Sequence, residues 1–289
     1  MADERRASGR PLISVVVPVR NGMPWVEEQL QALSMQQVPG DWEVVVADNG
    51  SADGTRSCAE RWSEREPRIR LVDASARLGA GAARNIGVRS ARGRMLAFCD
   101  ADDVVQPGWL AGMLAALADA DLVAGVFDFG SLEGRPPSDP IPAATGQMGF
   151  LPFALGANLA VRTDAFEAAN GFCEALSAGE DIDLSWRLQL AGCRFSVSER
   201  AVVAKRERTG AREAFRATWV YGRCDTVLYR HYRARGMRPD LRGAAKAWVW
   251  LVAASPGLVI PSRRRQWMRA LGVRVGRLAG SMTHHTFFP

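Results

Sequence analysis

Runs of apolar, mostly β-branched residues recur at a fairly even interval through the first half of the chain, at residues 12–17, 42–47, 69–72, 95–99 and 122–126. The stretches between them, 23–37, 53–63, 79–90 and 107–118, mix polar and apolar positions as helices do. Strands alternating with helices at this spacing predict right-handed βαβ units and a mostly parallel sheet flanked by helices. The strands are continuous apolar runs without strict alternation, as expected for a sheet covered on both faces. In such α/β folds ligands bind beyond the C-terminal ends of the strands. The chain places polar residues at those points: Arg20-Asn21 after the first run, Asp48-Asn49-Gly50-Ser51 after the second, and Asp100-Ala101-Asp102-Asp103 after the fourth.

Beyond residue 130 the pattern loosens. Residues 130–147 are rich in Pro, Gly and Ser and read as a mobile loop; 154–161 reads as a strand, 163–169 as a short helix and 182–190 as a helix. Past Thr209 it changes again. Residues 212–235 read as one long helix, and 247–261 are almost wholly apolar, with Trp248 and Trp250, but are interrupted by Pro256. That run is short of the ~20 residues a membrane-spanning helix needs. Arg263-Arg264-Arg265 follows it, then a helical pattern over 267–278 carrying Arg269, Arg274 and Arg277. No internal repeat is visible.

Charge sharpens this division. The net charge of +6 conceals a tail, residues 201–289, with 18 Lys/Arg against 4 Asp/Glu, a net of +14, which leaves −8 on the first 200 residues. An acidic body with a basic helical tail suggests either an anionic membrane surface as a partner for the tail or a helical extension that packs on the body with its arginines solvated; nucleic acid is a further rival, but no recognisable nucleic-acid motif supports it. The first ten residues are polar, are expected to be disordered, and have no apolar signal-peptide core. Five scattered cysteines form no CxxC pair, which argues for reduced thiols, a cytoplasmic location and no structural zinc. The organisation expected is a body over 11–208, split into halves at 11–128 and 150–208, and an appendage over 209–289.

Four clusters carry candidate chemistry. Asp100, Asp102 and Asp103 crowd the end of a buried strand, where carboxylates repel and need a cation; hard oxygen ligands suit Mg²⁺ or Mn²⁺, and a divalent ion could carry a diphosphate. The competing reading is an Asp-rich turn leading into the next helix. Asp48 could accept hydrogen bonds from a nucleobase or ribose, or close an Asx turn. Gly79-Ala80-Gly81-Ala82-Ala83-Arg84-Asn85 opens a helix with small residues. These either admit a diphosphate, with Arg84 in reach, or let the helix pack tightly on the sheet. Arg84 stands where a dinucleotide fingerprint needs a third Gly or Ala, so that fingerprint is excluded. Gly179-Glu180-Asp181-Ile182-Asp183 sets three acids at a helix start, either as macrodipole partners or with one acting as a general base.

Taken together, these segments resemble the inverting family 2 glycosyltransferases of the GT-A (Rossmann-like) fold. Ser14-Val15-Val16-Val17-Pro18-Val19-Arg20-Asn21 is similar to the family's first strand. Asp48-Asn49-Gly50-Ser51-Ala52-Asp53-Gly54-Thr55 is similar to the signature after its second. Ala83-Arg84-Asn85-Ile86-Gly87, Asp100-Ala101-Asp102-Asp103, Pro107-Gly108-Trp109-Leu110, Gly156-Ala157-Asn158, Gly171-Phe172-Cys173-Glu174 and Glu180-Asp181-Ile182-Asp183-Leu184-Ser185-Trp186-Arg187 follow in the family's order. The resemblance covers about residues 12–208. It implies that Asp48, with Pro18 and Arg20, holds the base of a UDP-, GDP- or dTDP-linked sugar, and that Arg84 lies near the base or diphosphate. It further implies that Asp100 contacts the ribose and that Asp102 binds Mg²⁺ or Mn²⁺ bridging the phosphates. Asp181 would take the proton of an acceptor hydroxyl, on a glycan or a lipid-linked acceptor, with Glu180 and Trp186 shaping the acceptor side.

One departure stands out. Family members often carry a metal-binding His after a strand like Ala201-Val202-Val203. Here the residues are Ala204-Lys205-Arg206, and the histidines lie at 231, 284 and 285. Either Asp102 and the diphosphate hold the metal unaided, or Lys205 or Arg206 supplies fixed positive charge. Two rival functions remain: a catalytically degenerate nucleotide- or glycan-binding scaffold, and a nucleotidyltransferase on a related fold. The second would want a longer Gly-rich, basic loop after the first strand than Val19-Arg20-Asn21-Gly22 provides.

Overall fold

The first four apolar runs pair in parallel, in the spatial order third, second, first, fourth. They are β1 (Ile13–Val19), β2 (Trp42–Asp48), β3 (Ile69–Asp73) and β4 (Met95–Cys99), connected by α1 (Trp25–Ser34), α2 (Thr55–Arg65) and α3 (Ala80–Ser90). Every residue of β2 is buried, as is all of β1 except the half-buried Pro18, so both faces of the sheet are covered. The computed structural model describes residues 9–134, 141–142, 148–206 and 210–289. Most of the stretch expected to be disordered at 1–10, and most of the 130–147 loop, lie outside these residues.

The chain divides into two units. The first comprises the described residues up to 142 together with 152–174 and 184–206, and it contains the whole sheet. Beyond β4 the sheet becomes mixed. β8 (Asn158–Arg162) pairs antiparallel with both β4 and β6 (Leu122–Asp128), while β9 (Phe195–Ala204) runs parallel to β6. Two short strands, β5 (Val104–Val105) and β7 (Ile141–Pro142), add antiparallel pairings at β9 and β6. A parallel neighbour needs a crossover connection. The described part of the segment from β6 to β8 holds only a 3₁₀ turn and β7, so β8 is free to enter in the opposite direction.

Local chemistry moves several boundaries. The helix expected at 107–118 is α4 (Trp109–Leu117), because Gly108 takes a left-handed φ of 84° that no α-helix accommodates. The strand expected at 154–161 begins four residues late: the Ala154 N–H is donated to the Ser185 hydroxyl and not to a neighbouring strand. The helix expected at 163–169 is α5 (Thr163–Ala168). Phe98, Phe166 and Phe172 pack ring on ring, 5.1–5.8 Å between centroids, directly beneath the end of β4. Burying each such ring is worth roughly 1.5–3 kcal/mol, so this cluster anchors the strand that delivers the acidic turn.

The second unit comprises 148–151, 175–183 and 210–289. Its body is a helical pair, α7 (Ala211–Tyr232) and α9 (Pro261–Thr283), with α8 (Leu241–Ala253) and a 3₁₀ turn over Ser255–Val259 between them. Pro256 does end the apolar helix, as its sequence position suggests. Gly272, Gly276 and Gly280 lie one turn apart on α9 and let its backbone meet α7. A Cβ at Gly280 would fall 2.8 Å from Thr226 Oγ1, and one at Gly222 on α7 would fall 2.9 Å from the Arg277 nitrogen. A half-buried Arg277–Asp225 ion pair of 2.9 Å joins the same two helices. No described helix is long and apolar enough to cross a membrane.

Candidate functional site

In the parallel register Val19 stands beside Asp48 and Asp48 beside Asp73, so the C-terminal ends of β1, β2 and β3 lie along one edge, with Asp100 just past β4. Asp48 is buried, accepts a hydrogen bond from the Ser51 N–H (3.1 Å) and lies 3.7 Å from the Arg56 guanidinium, so the Asx-type turn is present. Asn21, at a left-handed φ of 53°, accepts from the Ala52 N–H and gives its own N–H to Ser51 Oγ, which ties the β1 exit to the β2 exit. Pro18 is half-buried and Arg20 is exposed at this edge.

The acidic turn is the most heavily tied part of the unit. Asp100 meets Arg84 at 2.9 Å and Lys205 Nζ at 3.3 Å. Asp103, almost wholly buried, accepts from Lys205 Nζ (2.6 Å) and from the Arg206 N–H (3.0 Å). Arg206 also donates to the Asp102 carbonyl, pairs with Glu28 and stacks on Trp25 with 3.8 Å to the ring centre. Behind the turn, the buried Gln29 of α1 donates to the Asp100 carbonyl and accepts from the Val105 N–H. Gln36 bridges the Gln106 carbonyl and the Leu110 N–H in the same way. These glutamines clamp the turn from both ends.

The charges follow from this packing. Burial pushes the Asp100 carboxyl up, but Lys205 and Arg84 outweigh it and hold the group below its ordinary value. Burial, with the repulsion of Asp100 and Asp102, raises Asp103 to about 7 against the pull of Lys205. Lys205 is disfavoured by burial, yet Asp100 and Asp103 raise it above its ordinary value, so it is a fixed cation. The buried Cys99 thiol is pushed well up by burial and by the charges of Asp100 and Asp103.

Asp102 differs from its neighbours. Its carboxylate takes no hydrogen bond and no ion pair among the described residues, yet oxygens of Asp100, Asp102 and Asp103 all lie within 4.8 Å of one another. A set of hard oxygen donors with one uncommitted carboxylate fits a Mg²⁺ or Mn²⁺ ion. Arg84 is buried against Asp100 and the Phe172 ring, in space that exists because residue 156 is glycine: a Cβ there would lie 2.8 Å from Arg84 Cζ.

Helix α6 (Glu180–Leu190) begins in the second unit. Glu180 is buried. Asp183 is buried too and accepts a 2.7 Å hydrogen bond from the Tyr232 hydroxyl. Asp181 is half-buried, and its Oδ1 accepts from the Ile182 N–H. Of the three acids, Asp181 is the one with a face toward solvent. Trp186, in the first unit, is fully buried edge-on to Phe153.

Several positions that organise this edge escape sequence reasoning. Gln29 and Gln36 serve backbone atoms some seventy residues away, and Asn158, quoted above only as part of a segment, links the Trp109 indole N–H to the carbonyls of Val126 and Ala201. Such residues give no local pattern. Their only signal is an amide side chain at an otherwise apolar position.

Comparison with known proteins agrees with this geometry. The family described as Glycosyl transferase family 2 matches residues 14–166. Glycosyltransferase AglE of Haloferax volcanii is 30% identical over 190 residues, 63% of this chain and 62% of that protein. The pre-mycofactocin glycosyltransferase of Mycobacterium tuberculosis is 28% identical over 265 residues, 85% of this chain and 53% of that protein. The chain thus spans less than two thirds of the length of these curated relatives. Among solved structures, the mannosyltransferase PcManGT of Pyrobaculum calidifontis, in complex with GDP-Man and Mn²⁺, superposes with a TM-score of 0.66 at 20% identity. The match covers 94% of this chain and 87% of that one. TarS 1–349 of S. aureus with UDP-GlcNAc gives 0.53 at 19% identity, covering 96% and 93%. These likenesses carry the GT-A-like fold.

Proposed function

The chain belongs to glycosyl transferase family 2, and on that premise we propose that it transfers a sugar from a nucleoside-diphosphate donor to an acceptor hydroxyl with inversion at the anomeric carbon. The observation that carries the reading is the uncommitted Asp102 carboxylate, held beside Asp100, Asp103 and the fixed cation Lys205 at the C-terminal edge of the sheet. That two fold neighbours bind GDP-Man with Mn²⁺ and UDP-GlcNAc supports a nucleotide-sugar donor.

In this reading Asp48, Pro18 and Arg20 receive the base, and Asp100, kept ionised by Lys205 and Arg84, takes the ribose hydroxyls. Asp102 holds a divalent ion, which when bound supplies positive charge to the departing diphosphate. Lys205 is a second, permanent positive charge at the same edge, in the place where the family often carries its His. The acceptor oxygen attacks the anomeric carbon as the bond to the diphosphate oxygen breaks. The acceptor's proton passes to Asp181, and the nucleoside diphosphate leaves. Glu180 and Trp186 shape the acceptor side.

A thermal-shift panel of GDP-, UDP- and dTDP-sugars with and without Mn²⁺ tests this. A true donor at about one hundred times its Kd stabilises by about 2.7 kcal/mol. The expected result is a rise in Tm with one nucleotide class, enhanced by Mn²⁺, and its loss in Asp102→Ala. If no nucleotide sugar stabilises the protein, or Asp102→Ala keeps the whole Mn²⁺-dependent shift, the reading fails. Stabilisation with no release of nucleoside diphosphate under any acceptor would favour the binding scaffold. Release of pyrophosphate from a nucleoside triphosphate and a sugar phosphate would favour the nucleotidyltransferase.

A further inference from the structure

We propose that the tip formed by the end of α8, the 3₁₀ turn and the start of α9 docks on the surface of an anionic phospholipid bilayer. The inference does not depend on the chemistry proposed above. From Ala247 to Ser262 the sequence contains no charged side chain. In this stretch α8 buries Leu251, whose carbonyl accepts the Trp267 indole N–H of α9, while Val249, Trp250 and Val252 point outward. The turn adds Val259 and Ile260. Val252 is 74% and Val259 86% exposed, values that no side chain seated in a protein interface within this chain would show. One isolated exposed aliphatic is ordinary, but five on one tip are not.

The flanks identify the occupant. Arg242 and Lys246 precede the uncharged stretch, and Arg263 and Arg264 follow it. All four are exposed and make no ion pair among the described residues. An apolar tip, with tryptophan, set between uncommitted cations matches the layering of a membrane surface: acyl chains beneath, phosphates above. Basic side chains can extend to the headgroups while their stems lie along the apolar zone. No described helix can span a bilayer, so the contact is interfacial. A second copy of this chain is the weaker occupant, because a two-fold contact through this tip would bring the same four cations against themselves.

Flotation of the full chain with vesicles of phosphatidylcholine, alone or mixed with phosphatidylglycerol, tests the assignment. The expected result is binding to the anionic vesicles that weakens as salt rises, and little binding to phosphatidylcholine alone. Val252→Glu/Val259→Glu should lower binding at least about tenfold by removing the apolar insertion. Arg263→Glu/Arg264→Glu should lower it by about 25-fold or more, since each basic residue near such a surface contributes about fivefold. An unchanged melting curve confirms that the variants fold; should a double variant not fold, Val259→Ser alone serves. Failure of the wild-type chain to bind anionic vesicles overturns the proposal. So does wild-type binding by both variants, or a wild-type dimer that Val252→Glu/Val259→Glu splits, which would assign the tip to a second copy.

Discussion

The molecule carries two acidic tetrads of nearly the same composition, Asp100-Ala101-Asp102-Asp103 and Glu180-Asp181-Ile182-Asp183, and it handles them differently. In the first, two of the three carboxylates are neutralised by Lys205, Arg84 and the Arg206 backbone, and two buried glutamines fix the chain on either side. In the second the acids stand in the first turn of a helix, where the backbone dipoles favour negative charge, and Asp183 accepts from the Tyr232 hydroxyl. A turn that must present charge at a strand end needs fixed counter-charges to remain folded. A helix N-terminus holds acids with backbone dipoles and can leave one of them, Asp181, reaching toward solvent. Among the described residues the first tetrad brings three carboxylates within 4.8 Å of one another, the arrangement on which the proposed metal site rests, while the proposed proton transfer rests on the second.

The largest effect expected from breaking this contrast is chemical. Asp181→Asn retains size and hydrogen-bonding capacity but removes the basic oxygen. Loss of a general base costs typically 10²–10⁴-fold, so turnover should fall by about 10³ while the donor-induced rise in Tm stays at the wild-type level. Turnover within a few-fold of wild type would move the base elsewhere and dissolve the proposed division of labour.

How much of this contrast was legible in the sequence depended on where the partners lie. The apolar runs and the polar residues just after them placed β1 to β4 and the acidic turn, because both signals are local. The same logic found the helix start at Glu180. Lys205 was visible as a substitution in a familiar place, but not as the partner of Asp100 and Asp103, about a hundred residues earlier. Gln29 and Gln36 were invisible because they satisfy backbone atoms about seventy residues away, and Asn158, although part of a family-like segment, gave no hint of its partners Trp109, Val126 and Ala201. Half of β9 was hidden by Ser196, Ser198, Glu199 and Arg200: Glu199 and Arg200 are exposed, while Ser198 is buried and donates to the Gly112 carbonyl. The stripe of Gly272, Gly276 and Gly280 gave no apolar signal, since what it contributes is the absence of side chains.

The next effect is on stability and concerns the first tetrad alone. Lys205→Met keeps an unbranched side chain of similar length and removes the ammonium, which pairs with Asp100 and Asp103 and lies 5.8 Å from the centre of the Phe127 ring. Breaking a buried ion pair from one side costs about 3–5 kcal/mol. Because the lysine side chain is 27% exposed, the lower end, about 3 kcal/mol, is expected in urea unfolding followed by tryptophan fluorescence. Adding Asp103→Asn should restore part of the loss, since the stranded charge is then gone. If Lys205→Met unfolds at the wild-type midpoint, the ammonium does not balance the turn.

The smallest effect provides a control for both tetrads: a buried carboxylate with full hydrogen bonding and no proposed role in the chemistry. Glu43 lies near the start of β2, remote along the strand from Asp48. It accepts from the Ser14 hydroxyl (2.8 Å), the Arg92 N–H (2.7 Å) and the Arg70 guanidinium (2.9 Å). Burial raises its pKa, but these donors and the Arg70 charge outweigh burial and leave it below the ordinary 4.5. The unfolded chain therefore binds a proton more readily than the folded one. The contribution of Glu43 is fully present above pH 4.5 and is lost as pH falls from there through the lower folded value. Glu43→Gln should cost about 1–2 kcal/mol at neutral pH, where Gln cannot accept all three donors as a carboxylate does, and it should flatten the acid limb of the stability curve. Donor binding and turnover should be unchanged. A variant with the wild-type acid slope would show that hydrogen-bonded carboxylates in this sheet do not set its acid sensitivity. The stability assigned to the counter-charges of the acidic turn would then need a different origin.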